Sequence, residues 1–144
     1  MPTAGRVTAA ILYAGLAFYV SLLVREIFLD ERPLPTLPYW NAFFGVILGW
    51  RLAGARAGGG LSAAIGYGIT TTVALFITCL FFNCFAEMIR RSMRNQYDGP
   101  AEAAFSVAEI MLTFGQRVAT GEIVAIMVVG GLAAAMLTEL AGRG

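Results

Sequence analysis

Four apolar stretches alternate with short charged ones along the chain, and the third sets the scale. Residues 57–86, between Arg56 and Glu87, carry no formal charge over thirty positions, and the run ends in Glu87-Met-Ile-Arg90-Arg91-Ser-Met-Arg94. At about 1.5 Å per residue, roughly twenty residues cross the ~30 Å hydrocarbon core of a bilayer. The stretch predicts a transmembrane helix over about 61–88, with length to spare. Val7 to Val24 is apolar for eighteen residues. Arg6 before it imitates the charged region of a signal peptide, but no small-x-small cleavage site closes the run, so a retained span over about 7–24 is expected. Tyr39 to Trp50 is shorter, and counting back to Pro33 gives eighteen uncharged residues. This predicts a short or tilted span over about 36–51, with a re-entrant hairpin as the alternative. Ile123 to Thr138, uncharged up to Glu139, predicts a last span over about 122–140.

Small residues mark the faces on which these helices would pack. Ala10, Ala14, Ala17 and Ser21 recur at spacings of 4, 3 and 4, and Gly60, Ala64, Gly68 and Thr72 at every fourth position. Gly45 and Gly49 form a GxxxG pair with Asn41 one turn earlier, and Gly130, Gly131 and the run 133–135 give the last span a similar face. Tyr13 and Tyr19 are expected near the two interfaces, as aromatic anchors. Between Pro100 and Arg117, Glu102, Ser106, Glu109, Thr113 and Gln116 form a polar stripe at spacings of 4, 3, 4 and 3. That pattern predicts an amphipathic helix over about 100–117, interfacial or groove-packed, begun by Pro100 and capped by Asp98 or Gly99. Were it buried, Glu109 would be a candidate proton or cation site. The fold expected is thus an all-α integral membrane protein of about four transmembrane helices plus this amphipathic helix, one domain over residues 1–144.

Three connections carry the concentrated polar chemistry. Arg25 to Pro38, with five charges and three prolines, reads as a solvated loop. Arg51 to Gly60 places four glycines in its last seven residues, beside Arg51 and Arg56. Glycines there free the backbone for positive φ, and the amides of Gly58, Gly59 and Gly60 at a helix start could join the two arginines around a phosphate headgroup or an oxyanion. The alternative is a tight membrane hairpin with arginines at headgroup level. Thr72, Cys79, Asn83 and Glu87 follow one another at spacings of 7, 4 and 4, a polar lane along the third helix. Asn83 is costly in lipid and should face protein or water. Glu87 precedes Arg90 and Arg91 in the favourable acid-before-base order, and Arg94 completes the cluster. The alternative for Glu87 is that it simply ends the span.

Composition agrees with the pattern and removes several functions. Hydrophobic residues make up 58% of the chain and charged residues 13%, with a mean hydropathy of +0.74. A separate soluble catalytic lobe is not expected at 144 residues. Ten arginines without lysine are balanced by nine acids, so nucleic acid is not an expected partner. The absence of histidine excludes imidazole ligation of haem or zinc and histidine general-base catalysis. Cys79 and Cys84, five positions apart on one helix, cannot pair with each other while it is intact. No cofactor fingerprint is present, and an enzyme is the least expected class. The positive-inside rule places Arg25, Arg32, Arg90, Arg91, Arg94 and Arg117 on the cytoplasmic side, against Arg6, Arg51, Arg56 and Arg143.

Several strings in order (Met-Pro-Thr-Ala-x-Arg6, Gly49-Trp50-Arg51 with Gly54-x-Arg56-x-Gly58, Glu87-Met-x-Arg90-Arg91-Ser-x-Arg94, and Tyr97-Asp98-Gly99-Pro100) resemble the TrgA-type tellurium-resistance proteins of alphaproteobacteria. The similarity extends over nearly the whole chain. It implies a multi-pass protein of the bacterial cytoplasmic membrane that contributes to tellurite tolerance, and it brings neither a mechanism nor an active-residue set. Three functions follow as expectations. One is a resistance factor for an oxyanion, with the arginine-glycine turn and the Cys79 and Cys84 thiols as contact chemistry. Another is an accessory subunit packed against other membrane subunits of a respiratory or photosynthetic complex. The third is a homo-oligomeric transporter or channel using the Asn83–Glu87 lane or the Glu109 stripe. The bilayer is a partner in all three.

Overall fold

A computed structural model describes residues 2–27, 37–95 and 98–143. The described residues are all-helical, 92% of them in helix and none in a strand. The helices are α1 (Pro2–Ile27), α2 (Leu37–Leu48), α3 (Leu61–Met93), α4 (Pro100–Val118) and α5 (Gly121–Arg143). Three of them, α1, α3 and α5, are long and apolar enough to cross a membrane, which makes this a membrane protein. At 33 residues, α3 is about 50 Å long and exceeds the hydrocarbon thickness.

Helix α1 starts earlier and ends later than the hydropathy suggests. Pro2 is compatible with the first helical position and nothing from Thr3 to Arg6 breaks a helix, so Arg6 and Arg25–Ile27 are helical rather than flanking. Helix α2 opens at Leu37, so Leu37 and Pro38, where the expected loop and the expected 36–51 span overlap, belong to the helix; residues 28–36, the rest of that loop, lie outside the described residues.

Helices α1 and α2 pack closely, and glycine makes it possible. A Cβ on Gly45 would lie 2.6 Å from the Tyr13 carbonyl oxygen and 2.7 Å from Ala14 Cα, and one on Gly49 would lie 2.9 Å from the Ala9 carbonyl carbon. Gly54 continues the seam, where a Cβ would meet Arg6 Cα at 2.5 Å. The spacing from Gly45 to Gly49 is four, but from Gly49 to Gly54 it is five. Five residues of α-helix turn through about 500°, which would carry Gly54 well off the seam. The chain instead widens into a π-helical turn, Gly49–Ala53, in which the Gly54 amide bonds the Gly49 carbonyl. A 3-10 turn, Gly54–Arg56, follows. Much of the segment read as a glycine turn is therefore helical, and only residues 57–60 connect to α3.

Helices α3 and α5 meet along the predicted small-residue ridge. A Cβ on Gly68 would lie 2.7 Å from Ala135 Cβ, and a Cβ on Gly131 would overlap Thr72 Oγ1. Helix α5 also lies against α1, and here one expectation is corrected. Tyr13 is fully buried, its hydroxyl donating to the Gly131 carbonyl at 3.1 Å. Because α1 begins at Pro2, Tyr13 stands near mid-helix rather than at an interface; Tyr19 is exposed.

Helix α4 runs along the second half of α3. Gly99 is its N-cap, without a side-chain cap bond, and Pro100 opens its first turn. Its inward face is Ser106, Ile110 and Val118, with Phe114 half-buried between them. Ser106 thus belongs to the buried face rather than to the polar stripe, whose other members, Glu102, Glu109, Thr113 and Gln116, are exposed. An i, i+4 series selects 106, 110, 114 and 118.

Gly45→Ala should force α1 and α2 apart and destabilise the protein by about 1–3 kcal/mol. Gly15→Ala, where nothing lies within 4 Å of the new methyl, should not. Thermal unfolding in detergent compares them, and equal melting temperatures would contradict the seam.

Candidate functional site

The candidate polar side chains inside the bundle lie at three levels along α3: where it begins, at Asn83 about two thirds of the way along, and at Glu87 one turn further. At the first level Gly58 and Gly60 adopt φ of 100° and 103°, a region that side chains disfavour and glycine accepts freely. This turns their amides to one side. Both donate to the carboxylate of Glu139, from Gly58 to Oε2 at 2.8 Å and from Gly60 to Oε1 at 2.6 Å. The Tyr67 hydroxyl lies 3.1 Å from Oε2 and also 3.1 Å from the Ala135 carbonyl; the carboxylate is the stronger acceptor of its single proton. Arg143 Nε, one turn on, closes an ion pair with Oε1 at 3.3 Å.

Glu139 is fully buried. An ionised carboxylate removed from water is tenable only when its lone pairs are engaged, and these four donors engage nearly all of them. Gly60 caps α3, so the positive end of that helix's dipole adds to the attraction. Sequence reading missed this residue, since an acid closing an apolar run looks like an interface marker. The signal was in the spacing: Gly131, Ala135 and Glu139 follow at fours, so Glu139 shares the face on which α5 packs.

The anion held by the glycine turn is thus the chain's own. Gly58 and Gly60 meet Glu139, whereas Arg51 and Arg56 are exposed and stand apart from it, as is Gly59. Gly142 packs the same junction from α5, where a Cβ would be 2.8 Å from Ala57 Cβ, and Gly5 brings α1 to the same place at 2.9 Å.

At the middle level a chain of hydrogen bonds joins three helices. Asn83 Nδ2 on α3 donates to Asn41 Oδ1 on α2 at 2.9 Å, and Asn41 Nδ2 donates to Ser21 Oγ on α1 at 2.8 Å. Ser21 passes its proton to the Ala17 carbonyl at 2.6 Å, and Asn83 Nδ2 also bonds the Cys79 carbonyl at 2.6 Å. Asn83 does face protein, on the GxxxG side of α2 where Asn41 lies. Cys79 is half-buried and Cys84 fully buried, and both are free thiols.

At the third level Glu87, 8% exposed, accepts from Arg91 Nε at 3.1 Å and Arg90 Nη1 at 3.4 Å. Arg94 is exposed beyond them, and Glu109 is exposed on α4. The candidate residues therefore do not converge on one centre. Tyr67 and Glu87 are twenty residues apart on α3, about 30 Å along its axis. Among the described residues no group of three or more histidine, cysteine or acidic side chains could hold a metal ion.

Comparison of the chain with protein-family models, with curated proteins and with solved structures returns no match.

Replacing Glu139 by Leu should leave the Gly58 and Gly60 amides without their acceptor and lower stability by about 1–3 kcal/mol. Tyr67→Phe should cost about 1 kcal/mol, and less than additively in the Glu139→Leu background. A thermal-unfolding double-mutant cycle measures this, and strict additivity would show that the two groups do not interact.

Proposed function

We propose that the chain is a multi-pass protein of the bacterial cytoplasmic membrane that contributes to tellurite tolerance without catalysing a reaction, as its resemblance to the TrgA-type proteins implies. The observation that carries the non-catalytic part is that Glu139, Asn83 and Glu87 are each bonded within the protein. Glu139 is held by a backbone cradle, Asn83 by Asn41, and Glu87 by two arginines. The Glu139 and Asn83 bonds tie helices together, the Glu87 pairs stay within α3, and none of the three converges on a reacting atom. The strings that carry the resemblance coincide with those ties: Gly49 and Gly54 lie against α1, Gly58 binds Glu139, and Glu87 pairs with Arg90 and Arg91.

The finer topology belongs to the same proposal. Helix α2 with its π-helical turn lies along α1 from Asn41–Ser21 to Gly54–Arg6, which supports a fourth span. Helix α4, with Glu102, Glu109, Gln116 and Arg117 exposed, suits the interface. The end bearing Arg25, Arg90, Arg91 and Arg94 is then cytoplasmic by arginine majority.

A second reading, an accessory subunit seated on other membrane subunits or on a second copy, has one observation in its favour. An open apolar groove between α1 and α5 is lined by Leu12, Tyr19, Val129, Gly130, Ala133 and Leu137, and small residues at its floor admit close approach of another helix. Tolerance would then follow indirectly from the state of the complex.

Deleting the gene should lower the tellurite concentration at which cells grow, and the wild-type gene should restore it. The double variant Cys79→Ser/Cys84→Ser should restore it equally at matched protein level. Unchanged tolerance in the deletion strain would end the proposal, and failure of the thiol variant alone would replace it with direct thiol chemistry.

A further inference from the structure

On the side of the bundle away from the glycine junction, α1 and α3 are bridged through Asn41 instead of packing on each other. The gap between them is closed by α2, the last turn of α4 and the first half of α5, and it holds a partly open cavity of about 70 Å³. Most of its wall is hydrocarbon and aromatic, including Leu16, Val20, Leu75, Phe76, Phe114 and Met127. Ser21, Asn41 and Asn83, together with the Cys79 thiol, form the polar part.

The hydrogen bonds of that polar part are incomplete. Both protons of Asn83 Nδ2 are used, by Asn41 Oδ1 and the Cys79 carbonyl, but Asn83 Oδ1 accepts from no described residue. Asn41 Nδ2 spends one proton on Ser21 and has a second without an acceptor among the described residues. Asn41 is 8% exposed, and an amide in such a place costs free energy for each bond left unmade. Asn83 Oδ1 and the second Asn41 N–H are the groups the cavity's contents could bond, in a wall that is otherwise almost wholly apolar. Among the described residues no charged side chain lines the cavity, so an ionised ligand would find no counter-charge among them. Water alone would satisfy the amides but leave most of the wall unfavourably wetted.

We infer that this cavity binds a neutral single-chain amphiphile from the bilayer, its hydroxyl or carbonyl oxygen bonded to the Asn41–Asn83 pair and its hydrocarbon lying against Phe76 and Phe114. A water's share of liquid volume is about 30 Å³, so about 70 Å³ takes the head and its first carbons, and the rest of the chain leaves through the open side. The site is independent of the tellurite reading, and either can fail without the other.

Photolabelling of the full-length protein in lipid nanodiscs, with a diazirine-bearing n-alkanol as probe, tests it. Mass spectrometry should find label on the cavity wall around Phe76, Cys79 and Phe114, displaced by excess n-decanol but not by n-decane. Asn83→Leu should reduce that label about five- to tenfold, the equivalent of one hydrogen bond, without changing background label on the outward-facing Ile69, Val73 and Ile77. Displacement by n-decanol in the wild type does not depend on the variant's folding. Equal displacement by n-decane would reduce the site to apolar packing, and label no stronger in the cavity than on the outer face would leave it to water; either result overturns the inference.

Discussion

A carboxylate bound by two backbone amides decides how this bundle closes. Glu139 sits near the end of α5, Gly58 and Gly60 precede α3, and their contact fixes the register of the two helices at one end. That register brings Gly131 opposite Thr72 and Ala135 opposite Gly68, spacings that small residues alone permit. The same junction draws in α1 through Gly5 and Gly142. A single charge can organise so much because the alternative for it is so poor: without its donors an ionised acid in an apolar bundle has nothing to offset its lost hydration. Its donors come mainly from backbone and from tyrosine, groups whose positions the fold itself determines.

Association of helices in lipid gains little from the hydrophobic effect, since acyl chains are as apolar as leucine, so dispersion at close seams and interhelical hydrogen bonds must supply it. The α1–α2 seam illustrates the first. Its glycines follow at four and then five, and the helix widens by a π turn to keep Gly54 against Arg6. The local helix gives up regular geometry so that the backbone contact can continue. The Ser21–Asn41–Asn83 chain illustrates the second, linking three helices where no small-residue seam brings α1 and α3 together.

What could be read in the residues was mostly what depends on one helix at a time. Apolar length located the three long helices. The small-residue stripes on α1, α2 and α3 are the faces that pack, and Asn83 faces protein. Glu87 meets Arg90 and Arg91 because an i, i+3 or i, i+4 pair needs nothing beyond its own helix. Tyr13 was expected at an interface and Glu139 was passed over, for a shared reason. An aromatic near a chain terminus and an acid after an apolar run both resemble interface markers, and only the neighbouring helices bury them. Nor could spacing assign the glycine turn its anion: amides that suit an external oxyanion suit a carboxylate from α5 equally, and the internal one is tethered at high effective concentration.

These contacts leave the two ends of the bundle unequal. At the glycine end the close approaches involve main chain, small side chains and the Glu139 carboxylate with its donors, and a methyl group added at Gly5, Gly54 or Gly142 meets its nearest atom at 2.9, 2.5 or 2.8 Å. Past Thr72, Leu75, Cys79 and Asn83 of α3 line a cavity, with Cys84 and Glu87 buried among and beyond them. Helix α4 reaches this region only with its last turn, through Phe114 and Val118. Interiors so arranged yield where packing is incomplete and resist where it is dense. A ligand or a small rearrangement is therefore far easier to accommodate at the Asn41–Asn83 level than around Glu139. The residues with the strongest electrostatics serve to close the structure, and the capacity to bind something lies with the neutral amides.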